Sequence, residues 1–198
     1  MFTGIIEEKA KVLSVEKGDQ SLQIQLARPK SFDDIQVGDS IACNGVCLTV
    51  ENFDEQQMTF TIGYETLKIT GWKDADLLHS EINLERSLMF GQRIHGHLVS
   101  GHVDTVTPVL STEWMGDCFL ITLELPTIAK EIWTKSSVAL NGVSLTVNWI
   151  ENNSFQVCLV PETLKKTNLA QLKTGDKVNV ETDYYMKGLL KLKGEVHA

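Results

Sequence analysis

The chain has 198 residues, 42% of them apolar and 22% charged, with a formal net charge of −8. That length holds one large domain or two of about 100 residues, and the composition is that of a globular protein. The negative charge disfavours nucleic acid and anionic membrane as partners, because both would repel it, and no apolar run is long enough to span a bilayer.

The first residues, Met1-Phe2-Thr3-Gly4, are not a basic region followed by an apolar core, so a cytoplasmic location is expected. Residues 22–26 (Leu-Gln-Ile-Gln-Leu) alternate apolar and polar, which predicts a half-buried strand. A short helical piece is expected near 29–34. Asn44-Gly45 is a hairpin-turn signal, Gln56-Gln57 suits a tight connection, and residues 58–62 alternate again. Residues 119–125 and 154–160 repeat the strand pattern, a second helical piece is expected over 127–133, and Asn141-Gly142 and Asn152-Asn153 mark further turns. Near the C-terminus Tyr185, Leu189 and Leu192 fall at helical spacing, in a helix weakened by Gly188. The four cysteines, Cys43, Cys47, Cys118 and Cys158, form no C-x-x-C pair and read as buried or half-buried thiols.

The string Asn44-Gly45-Val46-Cys47-Leu48-Thr49-Val50 recurs as Asn141-Gly142-Val143-Ser144-Leu145-Thr146-Val147, a shift of 97 residues. The same shift places Gly4 on Gly101, Ile24 on Ile121, Ser40 on Ser137, and Glu65-Thr66-Leu67-Lys68 on Glu162-Thr163-Leu164-Lys165. With one residue of slip, Asn83 and Glu85 fall on Asn179 and Glu181. So long a correspondence indicates a tandem duplication of a domain-sized unit. Many short strands between turn signals indicate barrels or sandwiches. The expected fold is all-β: two barrels over residues 1–96 and 97–185, then a tail over 186–198 with a short helix.

Residues shared by the copies mostly build the fold; those that differ in chemistry are candidates for function. Ile5 corresponds to His102 and Cys47 to Ser144, and Arg86-Ser87 follows Glu85 where Thr182-Asp183 follows Glu181. His102 can exchange a proton near neutral pH. Cys47 becomes an activated thiol if a cation lies near it. Plainer readings stand beside these. A cysteine in a strand is more often a small hydrophobe than a nucleophile, and a lone histidine is more often structural. His95, His97 and His102 also read as a metal cluster, though no carboxylate or cysteine sits at supporting spacing. The residues alone lead to a duplicated β-barrel protein that binds a small ligand.

The signature strings, with Met1-Phe2-Thr3-Gly4-Ile5-Ile6 and His97-Leu98-Val99-Ser100-Gly101-His102-Val103-Asp104, closely resemble riboflavin synthase of the α-chain type. The resemblance covers nearly the whole chain except the tail. It implies two six-stranded Greek-key barrels per subunit and a homotrimer joined through C-terminal helices, with lumazine synthase as a further partner. It implies dismutation of two molecules of 6,7-dimethyl-8-ribityllumazine by four-carbon transfer, giving riboflavin and a pyrimidinedione, without metal or organic cofactor. Carried over by position, the first barrel's contacts are Gly4, Ile5, Ile6, Cys47, Leu48, Thr49, Thr61, Ile62, Gly63, Tyr64, Glu65 and Thr66. Those of the second are Gly101, His102, Val103, Ser144, Leu145, Thr146, Cys158, Leu159, Val160, Pro161, Glu162 and Thr163. Phe2 lies at the interface and Lys135 reaches a neighbouring subunit's ligand. Catalytic assistance falls on Ser40, Cys47, His102, Ser144 and Asp183.

Departures are few. Asn141 stands where the family's second signature begins with Asp, and His95-Gly96-His97 replaces Gly-Gly-His. If the acid only shapes a turn, Asn serves equally; if it orients a catalytic group by charge, the rate falls. The same fold also serves luminescence antenna proteins that bind a lumazine or flavin without turnover. This chain keeps the catalytic positions, which favours the enzyme.

Overall fold

A computed structural model describes residues 1–194; residues 195–198 of the expected tail lie outside the described residues. The first half forms β1 (Glu8–Lys17), β2 (Leu22–Ala27), β3 (Ser40–Cys43), β4 (Val46–Thr49), β5 (Asn52–Phe53), β6 (Gln57–Ile62) and β7 (Glu81–Arg86). The second forms β8 (Thr105–Met115), β9 (Cys118–Glu124), β10 (Ser137–Leu140), β11 (Val143–Glu151), β12 (Ser154–Leu159) and β13 (Lys177–Thr182). The second half closes into a six-stranded barrel in the order β10-β11-β12-β9-β8-β13. Three consecutive hairpin-linked strands, β10 to β12, with β9 beside β12 make a Greek key.

The first half repeats this order as β4-β3-β7-β1-β2-β6-β5, a curled sheet of seven segments where six strands were expected. β4 and β5 together correspond to the continuous β11. Between them Val50 N donates to Asp39 O and Glu51 N to Thr59 O, so the chain changes partner from the β3 side to the β6 side. β11 passes the same corner with an irregularity between Val147 and Trp149. A strand that turns a barrel corner must bend, and a bulge or a break provides the bend.

The turn signals hold. Asn44 and Gly45 have φ of 46° and 80°, and Asn141 and Gly142 45° and 79°. Positive φ at both central residues suits the right-handed twist of the flanking strands. The expected helices are placed differently. Residues 29–34 form a turn in which Phe32 N donates to Pro29 O and the Arg28 guanidinium donates to Phe32 O. Residues 127–133 hold only a 3-10 turn, Ala129–Glu131. The helices are α1 (Tyr64–Thr70) and α2 (Asp74–Leu77) in the first half, and α3 (Pro161–Lys166) and α4 (Tyr184–Leu192) in the second. Pro161 opens α3, where a missing N–H costs nothing.

Each half has its own apolar core, around Phe60 in the first and Phe155 in the second. The cores do not follow the sequence division. Ile6 is buried in the second half's core, and Val103 packs against the first half's. α4 is capped by Asp183, whose carboxylate accepts from Tyr185 N and Met186 N. The helix docks through buried Leu190 and a Lys187–Asp104 ion pair at 2.7 Å. Its Tyr185, Leu189 and Leu192 stripe points away, at 64%, 53% and 87% exposure. Among the described residues no helix is long and apolar enough to cross a membrane.

Candidate active site

Two short leading segments, one before β1 and one before β8, build the site by exchanging places. The Glu85 carboxylate accepts from Thr3 N at 2.7 Å, Thr3 Oγ1 at 2.8 Å and Gly4 N at 2.9 Å. Glu181 holds Ser100 and Gly101 in the same way, at 2.6, 2.7 and 3.0 Å. Each segment is thus tied to the last strand of its own half. Its other edge pairs with the signature strand of the opposite half: Ser144 N donates to Gly4 O at 2.7 Å, and Cys47 N donates to Gly101 O at 2.8 Å. Phe2 and Val99 bridge each other between the segments, packed with Ala42, Ala139 and Cys47. Glycine is required where the strands meet. A Cβ on Gly4 would lie 2.6 Å from Ser144 Cβ, and one on Gly101 would lie 2.6 Å from Cys47 Cβ.

An asparagine network sews the halves together beneath this pairing. Asn83 Nδ2 donates to Asn141 O, and Asn179 Nδ2 to Asn44 O. The amide oxygens of Asn44 and Asn141 accept from Asn83 N and Asn179 N. Asn141 Nδ2 lies 3.5 Å from Asn168 Oδ1. Asn141 therefore works at a turn and a seam, through hydrogen bonds that an amide supplies.

The first candidate half-site is a cavity of about 390 Å³. Cys47, Glu65, Thr66, Gly101, His102 and Val103 line it together, as do Val46, Ile69, Thr70 and Asp104, which sequence reasoning did not include. Ile69 and Thr70 follow Thr66 at helical spacing on α1, and reading that segment as helix would have found them. Asp104 Oδ2 is taken by Thr182 and by Lys187, so the cavity wall is fastened to α4. Cys43 lies in the core, where burial, and then the neighbouring Cys47, push its thiol up and leave it inert.

The second half-site gathers around Ser144. Its Oγ lies 2.7 Å from His97 Nδ1. A Cβ on Gly96 would lie 2.7 Å from Ser144 Cβ. Ile5, exposed, lines a separate cavity of about 330 Å³ with Thr3, Glu7, Arg86 and His95, whose lining does not include Ser144. The Arg86 guanidinium is held there between Glu7 and Asp34.

The structure therefore groups the expected residues differently. Gly4 pairs with Ser144, not Cys47, Ile6 joins the second half's core, and Gly101, His102 and Val103 line a cavity with Cys47. Leu48, Ile62, Leu145 and Leu159 point into the cores. Thr49, Thr61, Gly63, Tyr64, Thr146, Val160, Pro161 and Glu162 are exposed, and Cys158 and Thr163 half-buried. Ser40 pairs with Thr49 across β3 and β4. Asp183 caps α4. Lys135 is exposed with φ of 71°, at the position where the first half has Gly38 at 97°. His95, His97 and His102 face different surroundings, and among the described residues no group of three or more His, Cys, Asp or Glu is placed to hold a metal.

The two clamps titrate. Burial raises the proton affinity of both Glu85 and Glu181 and outweighs the donors that favour the carboxylate. The folded state then holds these protons more tightly than the unfolded chain. Their contribution to stability is greatest below the unfolded glutamate value and declines as pH rises through the folded one. Denaturant midpoints of the protein and of Glu181→Gln, compared between about pH 4 and 7, should show the unmodified chain losing stability relative to the variant as pH rises. A difference independent of pH would contradict this.

Comparison with known proteins follows the same two-part division. The family model for the lumazine binding domain matches twice, over residues 3–87 and 100–183. The chain is 38% identical to riboflavin synthase of Actinobacillus pleuropneumoniae over 189 residues, covering 92% of this chain and 85% of that protein. It is 36% identical to riboflavin synthase of Bacillus subtilis over 184 residues, again covering 92% and 85%. Its fold is similar to the crystal structure of LumP complexed with riboflavin, with a TM-score of 0.83 and 25% identity, covering 92% of this chain and 99% of that one.

Proposed function

Because the chain belongs to the riboflavin synthase family, with two lumazine-binding domains in tandem, we propose that it converts two molecules of 6,7-dimethyl-8-ribityllumazine into riboflavin and 5-amino-6-ribitylamino-2,4-pyrimidinedione. One molecule donates a four-carbon unit to the other. The observation that carries this reading is the pair of unlike half-sites on one scaffold, Cys47 with His102 in one and Ser144 with His97 in the other.

The division of labour follows the chemistry of the groups. A methyl group on the lumazine ring is acidic because its anion is delocalised, so a modest base suffices. His102, at the rim of the first cavity, takes that proton. Ser40 and Cys47 assist addition to the ring, Ser144 donates a hydrogen bond in the second half-site, and Thr49 and Thr146 hold ligand. Much of the acceleration comes from holding two rings in register, which contributes roughly 7–11 kcal/mol in well-oriented systems.

The exposed Tyr185, Leu189 and Leu192 stripe of α4 supports subunit contact, and a homotrimer in which half-sites of different subunits face each other is our assembly. Lys135, held in a left-handed conformation on the surface, supports a contact with a neighbouring subunit's ligand. We place the enzyme in the cytoplasm, acting without a cofactor, with lumazine synthase as a further partner.

The likeness to LumP favours a second reading, a carrier that binds lumazine or flavin without turnover. Incubation with the lumazine separates the two. The enzyme produces riboflavin absorbance and a stoichiometric pyrimidinedione. Binding with no riboflavin formed would sink the enzymatic reading and leave the carrier.

A further inference from the structure

His97 lies outside the residues assigned to chemistry, yet it is the side chain that holds Ser144. It is 8% exposed. Its Nδ1 lies 2.7 Å from Ser144 Oγ, while its Nε2 is buried without a hydrogen-bond partner among the described residues. Its backbone is fixed as well: His97 N donates to Thr3 O, next to Gly4, whose carbonyl accepts from Ser144 N.

Burial is the main influence and keeps the ring neutral; the Asp183 carboxylate opposes it, and the Lys187 ammonium adds a smaller push toward the neutral form. A neutral imidazole carries one proton. Buried N–H groups without partners are rarer than buried acceptors without partners. The less costly tautomer therefore has Nδ1–H donating to Ser144 Oγ and leaves Nε2 as the unpaired acceptor. Ser144 then has its hydroxyl proton free, and its oxygen is pinned from behind.

We propose that His97 is the positioning residue of the second half-site: it donates to Ser144 Oγ and so turns the Ser144 hydroxyl into a hydrogen-bond donor aimed at the lumazine bound there. The proposal rests on the functional reading above. Among the described residues the first half-site has no such device. Cys47 occupies the equivalent position, and a thiol is a weak donor. The two bound rings accordingly meet different partners: a well-oriented donor in one half-site, and a thiol with an imidazole in the other.

The experiment compares His97→Asn with His97→Gln, alone and combined with Ser144→Ala, in the full-length protein. Asn places its amide nitrogen near the position of Nδ1 and can still donate to Ser144; Gln places its amide near Nε2 and leaves Ser144 unpaired. Riboflavin formation and lumazine fluorescence titration are both measured. His97→Gln should lower kcat about tenfold and weaken one of the two lumazine sites by a similar factor, leaving the other unchanged. His97→Asn should stay within about threefold of the unmodified protein. Adding His97→Gln to Ser144→Ala should cause no further loss, because the two residues act as one unit. Equal values for Asn and Gln, or additive losses in the double variant, would overturn the proposal. An unmodified protein that binds lumazine without making riboflavin would overturn the enzymatic reading alone, and the titration would still decide the role of His97.

Discussion

His102→Ala lowers riboflavin formation by about 10²-fold, the ordinary contribution of a positioned general base, and leaves the fold intact. The residue is exposed and only lines the first cavity, so its removal costs little stability. Its backbone is held independently of the ring, since Gly101 N donates to Glu181 and His102 N to Ser100 Oγ. Turnover within about twofold of the unmodified protein would remove His102 from the mechanism and move the search for a base to Glu65 or Asp104, the carboxylates of the same cavity.

Gly142→Ala has the largest expected effect on stability. The Gly142 backbone is left-handed, with φ of 79°, and a Cβ there would stand 2.7 Å from Gly45 N and 3.0 Å from Gly45 Cα. Backbone atoms cannot rotate aside as a side chain can. The left-handed conformation costs roughly 1–2 kcal/mol for a non-glycine residue, and overpacking adds roughly 1–3 kcal/mol. A loss of about 3 kcal/mol corresponds to a drop in Tm of roughly 6–12 °C for a chain of this size. Gly71→Ala is the control. Its φ is 67°, but a Cβ there would meet nothing within 4 Å, so only the backbone cost applies. Equal losses in the two variants would mean that the halves do not touch at Gly45 and Gly142. The same variant should reduce turnover, because both leading segments are paired beside this seam.

Much of the scaffold was legible in residue pattern. Alternation located β2, β6, β9 and β12 to within a residue or so, because a barrel wall has one wet face and one dry face. Asn44-Gly45 and Asn141-Gly142 turned out to be two-residue hairpins for the steric reason that made them signals. The helices were less legible. α1, α2 and α3 have seven, four and six residues, too short for a periodicity and stabilised by packing more than by propensity. The interruption between β4 and β5 was hidden as well, since Val50-Glu51 and Val147-Asn148 look alike in sequence while one corner breaks and the other bulges.

At the site the split is similar. The contrast between Cys47 and Ser144, and between Ile5 and His102, singled these out as candidate positions before any fold was known. Which of them meet was not readable. A repeat states that Gly4 corresponds to Gly101; it does not state against which half either one packs. Asn141, the residue at odds with the family pattern, is explained only by the seam it shares with Asn179 and Asn168.

By itself the sequence determined the duplication, the strand-and-turn alphabet of each half and the family, because these follow from local sterics and from the order of residue types along the chain. Tertiary structure alone decided the exchange of the leading segments, which puts His102 beside Cys47, and His97 with Gly4 beside Ser144. Its physical cause is long-range backbone pairing: the carbonyls of Gly4 and Gly101 find their N–H partners on the opposite half, where only glycine lets the chains approach closely enough to bond.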